Sequence, residues 1–362
     1  MLNYINPKLV VESAKIEPGS ITWKSPSNIA IVKYWGKYGQ QLPRNPSISF
    51  TLENCYTTTT VEYQAKTKPD GQISLDFFFD GQPQEAFKKK TLQFLQSLTG
   101  IFPFLQQLHI VIKSNNSFPH SSGIASSASS MSALALCLCS LEHRLFQTLI
   151  EDQAFDQKAS YIARLGSGSA CRSIYPLASM WGATIDLQGS SDEYAVPLAQ
   201  QLHPIFTDFC DDILLVSKSE KKVSSRAGHS LMEGNPYAEV RYRQAGQNIY
   251  RLLRSLQTGD VETFGNITEQ EALTLHALMM SSNPPYLLLQ PATITLIRLI
   301  QEYRQSTRHP LYFSLDAGPN LHLLYPKAFR VDVQKFIRDH LSSWCENGEW
   351  KQDQMGPGPM EQ

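Results

Sequence analysis

The sequence predicts an α+β protein built as two domains. Strand-like and helical runs mix without the regular βαβ alternation of a doubly wound sheet. At 362 residues the chain exceeds what one small core holds. Beyond Ser224 the texture changes to successive helical segments closed by a strand–turn–strand unit. These observations place residues 1–190 in an N-terminal α+β domain and 191–362 in a C-terminal one, with the polar stretch 188–193 joining them.

After a polar leader, residues 21–23 and 28–34 are expected as short strands. TTTTVEYQ and ISLDFFF follow, rich in β-branched and aromatic residues, and the turn dipeptide Asp80-Gly81 closes the second. Residues 84–98 space Phe87, Leu92, Leu95 and Leu98 as one helical face, and LHIVIK is another strand. The loop NNSFPHSSGIASSASS then opens a long helix running to about Phe146. A helix over 155–165 leads into a second Ser/Gly loop, GSGSACRS. SMWGATIDL and DDILLVS read as strands. Helices are expected at 237–256, 261–280 and 291–305, followed by LYFSLDAGPNLHLLY. The closing GPGPMEQ is expected as a flexible tail.

Lys+Arg (32) and Asp+Glu (33) nearly cancel, and a net charge of -1 leaves no polybasic footprint for nucleic acid or an anionic membrane. Any anion must be held by a local arrangement of residues. The six cysteines form no CxxC pair and no metal-finger spacing, so free thiols in a reducing compartment are expected. The first twenty residues lack a secretory core, and MSALALCLCSL falls short of the ~20 residues of a membrane span. A cytoplasmic protein is expected. The nine histidines show no paired ligand spacing such as HExxH.

Several stretches have the chemistry of anion binding. In SSGIASSASS, Gly123 can bring the backbone close to an anion, and the helix behind it offers N–H groups and a positive dipole end. Ser126, Ser127, Ser129 and Ser130 add hydroxyls, and a triphosphate would suit the site. The alternative is a serine-rich helix cap. No Walker-type lysine follows Gly123. In GSGSACRS, two serines and the planar fork of Arg172 supply donors for a carboxylate or phosphate, or the arginine pairs with a surface acid. In NIAIVKYWGKYG, Lys33 and Lys37 interrupt an apolar stretch beside Tyr34 and Trp35, which calls for anionic partners unless the strand is an edge. KKVSSRAGHS adds Arg226 beside small residues. Against this inventory stands one carboxylate, Asp316, where YFSLDAGPN ends a strand and turns. Cations that neutralise phosphate, with one base to orient a hydroxyl, fit phosphoryl transfer.

NIAIVKYWGK, LPRNPSISFTL, FPHSSGIASSAS, RLGSGSACRS, KKVSSRAG, SSNPPY and LDAGPN occur in the order seen in diphosphomevalonate decarboxylases. The chain resembles that family from about Ser25 to Pro326, and its closing GPGP resembles the family's C-terminus. The family belongs to the galactokinase, homoserine kinase, mevalonate kinase and phosphomevalonate kinase superfamily. The resemblance implies a two-domain, small-molecule-kinase-like α+β fold with the active cleft between domains. It implies conversion of mevalonate 5-diphosphate and ATP to isopentenyl diphosphate, ADP, phosphate and carbon dioxide, within isoprenoid biosynthesis by the mevalonate pathway. It further implies Mg2+ accompanying ATP, and a homodimer. By the same resemblance, Asp316 orients or deprotonates the C3 hydroxyl, Lys33 stands beside the reacting centre, and Arg172 grips the substrate carboxylate with Ser167 and Ser169. Tyr34, Lys37, Ser225 and Arg226 surround the substrate diphosphate, and Ser122, Gly123, Ser126, Ser127 and Ser129 lie in the nucleotide phosphate loop. No protein ligand of magnesium is assigned beyond an oxygen from Ser126 or Ser127.

The sequence departs from the family pattern at three places, all bearing on the phosphate end of the substrate. Pro176-Leu177-Ala178 follows Tyr175 where many relatives carry a Gly-Gly pair. His229 stands where a methionine often follows the Arg226 motif, and one of Lys88, Lys89 and Lys90 replaces an arginine of some relatives. Competing readings are a phosphomevalonate decarboxylase or mevalonate 3-kinase of the same fold, and a catalytically silent nucleotide-binding protein.

Overall fold

The computed structural model describes residues 3–12, 15–67, 70–119, 124–219 and 225–362, with the backbone alone at 225 and 226. In chain order its first elements are β1 (Gly19–Ala30), β2 (Lys37–Tyr38), β3 (Leu42–Pro43), β4 (Ser47–Ala65), β5 (Ser74–Phe79), β6 (Gln82–Pro83), α1 (Glu85–Ser97), β7 (Leu108–Asn116), α2 (Ser126–Phe146), α3 (Asp152–Gly166), β8 (Ala178–Trp181) and β9 (Ala195–Pro197). There follow β10 (Cys210–Leu214), α4 (Ser225–Ser230), α5 (Ala238–Thr258), α6 (Val261–Met280), α7 (Pro291–Thr307), β11 (Tyr312–Leu315), β12 (Leu321–Tyr325), α8 (Arg330–Phe336), β13 (Trp350–Lys351) and β14 (Met360–Glu361).

The larger sheet runs β14-β1-β4-β7-β5-β6, with β8 on β4 and β9 on β8. Its spine is the 19-residue β4, which pairs antiparallel with β1, β7 and β8. Only the second half of β4, TTTTVEYQ, reads as a strand from composition. Its first half, SISFTL, alternates polar with apolar residues but is buried on both faces, Ser47, Ser49 and Thr51 included. Each of these hydroxyls is engaged internally, Ser47 Oγ donating to the Val32 carbonyl at 2.6 Å and Thr51 Oγ1 to that of Tyr175 at 2.9 Å. The Ala/Leu/Cys run of α2 packs on this sheet beside α3, burying Ala133 through Leu141.

The smaller sheet, β11-β12-β10-β13, takes Phe313 and Leu323 into a core with Leu296 and Ile300 of α7. An aromatic cluster ties the two sheets together. Phe50 of β4 stacks on Phe264 of α6 at 5.3 Å, with Phe206 and Phe209 packed around them.

Four expectations require correction. GPGPMEQ is not a loose tail: β14 pairs with β1, and Gly356 N–H donates to the Thr51 carbonyl at 2.8 Å. Residues 188–193, expected between domains, lie between β8 and β9, both strands of the larger sheet, and the chain first enters the smaller sheet at Cys210. SMWGATIDL stops as a strand at Trp181, because Gly182 has φ +109 and a Cβ there would sit 2.5 Å from Pro46 Cα. The strand expected over 28–34 ends at Ala30, which leaves Lys33 in the turn that follows. All six cysteines are buried free thiols. Among the described residues no helix is long and apolar enough to cross a membrane.

Candidate active site

Lys33 leaves the end of β1 and Asp316 follows the end of β11, so the two sheets each contribute one member of an ion pair. Lys33 Nζ donates to Asp316 Oδ1 at 3.0 Å and to Ser314 Oγ at 2.9 Å. Lys33 is 2% exposed, whereas the Asp316 side chain keeps 25% of its surface open. The ammonium is therefore sealed behind the carboxylate, whose open face is what a ligand would meet. The DAGPN turn is braced from several sides: Gly318 N–H donates to the Asp316 carbonyl at 2.7 Å, and His276 Nε2–H of α6 donates to that oxygen at 3.1 Å. Asn320 and Ser217 exchange two hydrogen bonds at 2.9 Å, and Thr293 of α7 donates to the Pro319 carbonyl at 2.9 Å. These bonds explain how a short polar turn holds one carboxylate in place.

Arg172 sits in a 3-10 turn, Gly168–Ile174, and is 1% exposed. Its Nε donates to Ser49 Oγ of β4, and its guanidinium lies 5.8 Å from the Trp181 ring centroid. Nη1 is buried with no hydrogen-bond partner among the described residues. Burial pushes the arginine pKa down, while Cys171 and then Asp316 oppose that shift, so the two charged groups feel one another. A buried cation with an idle donor is unfavourable unless an anion arrives to meet it. Beside it, the Tyr34 hydroxyl is also buried and unpartnered among the described residues, and burial raises its pKa. The Tyr34 ring packs edge-on to Trp181 at 4.7 Å and lies 4.3 Å from His229. Gly168 permits this closeness, since a Cβ there would lie 2.9 Å from both Trp181 Cη2 and Tyr34 Oη. Asn28 fixes the turn by donating to the Ser169 carbonyl at 3.2 Å and to Ser173 Oγ at 2.7 Å.

The N-terminus of α2 reaches the same neighbourhood, with Ser127 Oγ 3.3 Å from Ser167 Oγ. Ser126 is partly exposed and Ser127 exposed, as a phosphate site requires. Ser129 is not available in this way: it is fully buried, its hydroxyl 2.6 Å from Thr57 Oγ1 and donating to the Ser126 carbonyl at 3.2 Å. At 100° per residue the helix turns Ser129 onto the sheet while Ser127 faces outward. Lys37 Nζ donates to Gln41 Oε1 at 2.9 Å. Ser169 is partly buried. Lys88 of α1 pairs with Asp76 of β5 at 3.0 Å. Ser122 and Gly123 lie outside the described residues, as do the side chains of Ser225 and Arg226.

Residues absent from the sequence-based site complete it. Ser314 shares Lys33, Ser49 holds Arg172, and Trp181 walls the arginine turn. His229 accepts from the Gly36 N–H at 3.0 Å through Nδ1. Glu271 of α6 accepts from the Lys33 N–H at 2.9 Å. The one signal for Glu271 is a charge within the apolar run EALTLHALMM, which reads equally as a solvated position. Among the described residues no group of three His, Cys, Asp or Glu could hold a metal ion.

Two family models cover most of the chain. One, described as the diphosphomevalonate decarboxylase-like N-terminal domain, matches residues 25–195; the other, the mevalonate 5-diphosphate decarboxylase C-terminal domain, matches 212–356. The diphosphomevalonate decarboxylase of Debaryomyces hansenii is 30% identical over 330 residues, covering 88% of this chain and 82% of that protein. The mevalonate diphosphate decarboxylase of Staphylococcus aureus superposes with a TM-score of 0.80 at 28% identity, over 97% of this chain and 100% of that one. MDDEF, solved in complex with MVAPP, AMPPCP and magnesium, gives 0.79 at 27% identity, over 96% and 99%.

Proposed function

The chain belongs to the diphosphomevalonate decarboxylase family, and from that membership and the site's geometry we propose that it converts mevalonate 5-diphosphate and ATP to isopentenyl diphosphate, ADP, phosphate and carbon dioxide. The observation that carries the reading is that Asp316, sealed on one side by Lys33, lies within electrostatic reach of a buried Arg172 whose Nη1 has no partner among the described residues. Asp316 orients the C3 hydroxyl and takes its proton as the oxygen attacks the γ-phosphorus of ATP. Lys33 keeps that carboxylate fixed and offsets the negative charge gathering there. Arg172 holds the substrate carboxylate. When the C3–O bond breaks, phosphate leaves with its electron pair. The bond to the carboxylate then yields its electrons to the new double bond and carbon dioxide departs.

Ser126 and Ser127 at the start of α2 suit the nucleotide phosphates, and Tyr34, Lys37, Ser167 and Ser169 border the substrate. Magnesium would arrive on the nucleotide, held by phosphate oxygens and water, with the outward-facing Ser126 or Ser127 the hydroxyl at hand to join them. There the ion would neutralise phosphate charge. The reading includes a cytoplasmic homodimer, supported by the six free thiols for the compartment and by the family for the assembly.

The test is an ATP-coupled assay with mevalonate, its 5-phosphate and its 5-diphosphate, following carbon dioxide. Release of carbon dioxide from the diphosphate is expected. Release from the monophosphate alone would make the chain a phosphomevalonate decarboxylase, and phosphorylation without release a 3-kinase. Asp316→Asn should abolish turnover while retaining ATP binding, and a near-normal rate in that variant defeats the assignment.

A further inference from the structure

We propose that Arg241 and Glu271 are positioning residues that set the backbone of Lys33 and, through it, the alignment of Lys33 with Asp316; the inference rests on the reading just given for that pair. Lys33 lies in the turn after β1, beyond the strand ladder, so neighbouring strands do not fix its peptide groups. Side chains fix them instead. Its N–H donates to Glu271 Oε2 at 2.9 Å, and its carbonyl accepts from Arg241 Nη2 at 3.1 Å and from Asn45 Nδ2 at 3.0 Å. Both peptide planes flanking Lys33 are thereby held.

The two clamping residues are themselves locked. Arg241 donates through Nη1 to Glu271 Oε1 at 2.8 Å and through Nη2 to Oε2, while Asn248 Nδ2 reaches Oε1 at 2.6 Å. Glu271 is 0% exposed and Arg241 2%. A buried ion pair is weak evidence for stability, because well-packed apolar residues often replace one without loss. What such a network supplies is a single geometry. α6 also reaches the other partner: five residues after Glu271, His276 donates to the Asp316 carbonyl at 3.1 Å. One helix thus gauges both members of the reacting pair, although they are 283 residues apart in sequence.

Arg241→Lys keeps a cation beside Glu271, yet a single ammonium cannot reproduce a fork that grips that carboxylate and also the Lys33 carbonyl. The expected result is a native-like melting profile with kcat lowered ~100-fold, the scale of an ångström-sized misplacement, and KM for both substrates within about 3-fold of native. A second readout needs no turnover. Acetylation of Lys33 in the folded protein, followed by mass spectrometry of its peptide, should accelerate at least ~10-fold as the charge-assisted bond from the ammonium to Asp316 is lost. Asn45→Ala removes one neutral donor from the same carbonyl, and decides by the same two readouts if Arg241→Lys does not fold. Native kcat, or unchanged Lys33 acetylation in a variant whose kcat has fallen, overturns the proposal. An inactive native protein would instead overturn the functional reading, and the acetylation rates alone would still decide whether the clamp exists.

Discussion

Replacing His229 by methionine should remove a specific part of the protein's acid sensitivity. Nδ1 of His229 accepts the Gly36 N–H at 3.0 Å, and its ring is packed 4.3 Å from Tyr34 and 4.7 Å from Trp35. Protonation would set a second donor against that N–H. Burial, then Lys37, then Arg172 hold the imidazole pKa down from 6.5 to about 3. The unfolded chain takes up a proton near pH 6.5 while the folded one does not until about pH 3, so stability is lost as the pH falls below 6.5. Between pH 7 and pH 5 that linkage amounts to about 2 kcal/mol. Methionine does not titrate, and the loss of the acceptor for Gly36 is independent of pH. Equilibrium urea unfolding of the native and H229M proteins at both pH values isolates the effect, since every other titrating group cancels in the double difference. The native protein should lose about 2 kcal/mol more than the variant over this interval. Equal losses would mean that His229 is protonated in the folded state, and with it the geometry at Gly36 would be wrong.

Arg172→Lys should lower turnover by about 100-fold or more, because one ammonium cannot keep the Ser49 bond and also present a planar pair of donors; a native steady-state rate would count against bidentate gripping. Gly168→Ala should destabilise the protein by about 1–3 kcal/mol and raise the substrate KM, since the added methyl is forced onto Trp181 and Tyr34. An unchanged melting temperature and KM would contradict that. Phe50→Ala should cost about 3–5 kcal/mol in denaturant unfolding, because three phenylalanines close around a ring that is 1% exposed. A loss below about 1 kcal/mol would mean that the junction between the sheets collapses to refill the space.

The three long helices of the second half were readable almost residue by residue, whereas the short α4 and α8 were not anticipated. α6 spans Val261–Met280 as its periodicity predicts, and α5 and α7 differ from expectation only by a few terminal residues. Asp316 also emerged from local pattern, one residue past a strand ending at Leu315. Periodicity is a property of adjacent residues, so it survives without knowledge of the fold. The serine cluster shows where that information stops. Composition marks Ser126, Ser127 and Ser129 alike, but only the rotation of α2 against Thr57 determines which hydroxyls face outward. In the first half of β4 the alternation of SISFTL is local, but that its serines and threonine are buried is not, because their partners are Val32, Tyr175 and Arg172.

What the sequence conceals is which charge answers which. Lys33 and Asp316 each look like an interruption of an apolar run, and the same is true of Glu271, while Arg172 looks like an ordinary loop arginine. Folding resolves most of these interruptions against one another: Lys33 with Asp316, and Arg241 with Glu271, across separations of 283 and 30 residues. Arg172 differs, since Asp316 influences it but no hydrogen bond occupies its buried Nη1 among the described residues. Burial without compensation is unfavourable in the free protein and becomes favourable once an anionic group enters. Arg172 is the charge that these pairings leave open, and that imbalance, more than any single motif, favours an anionic ligand there.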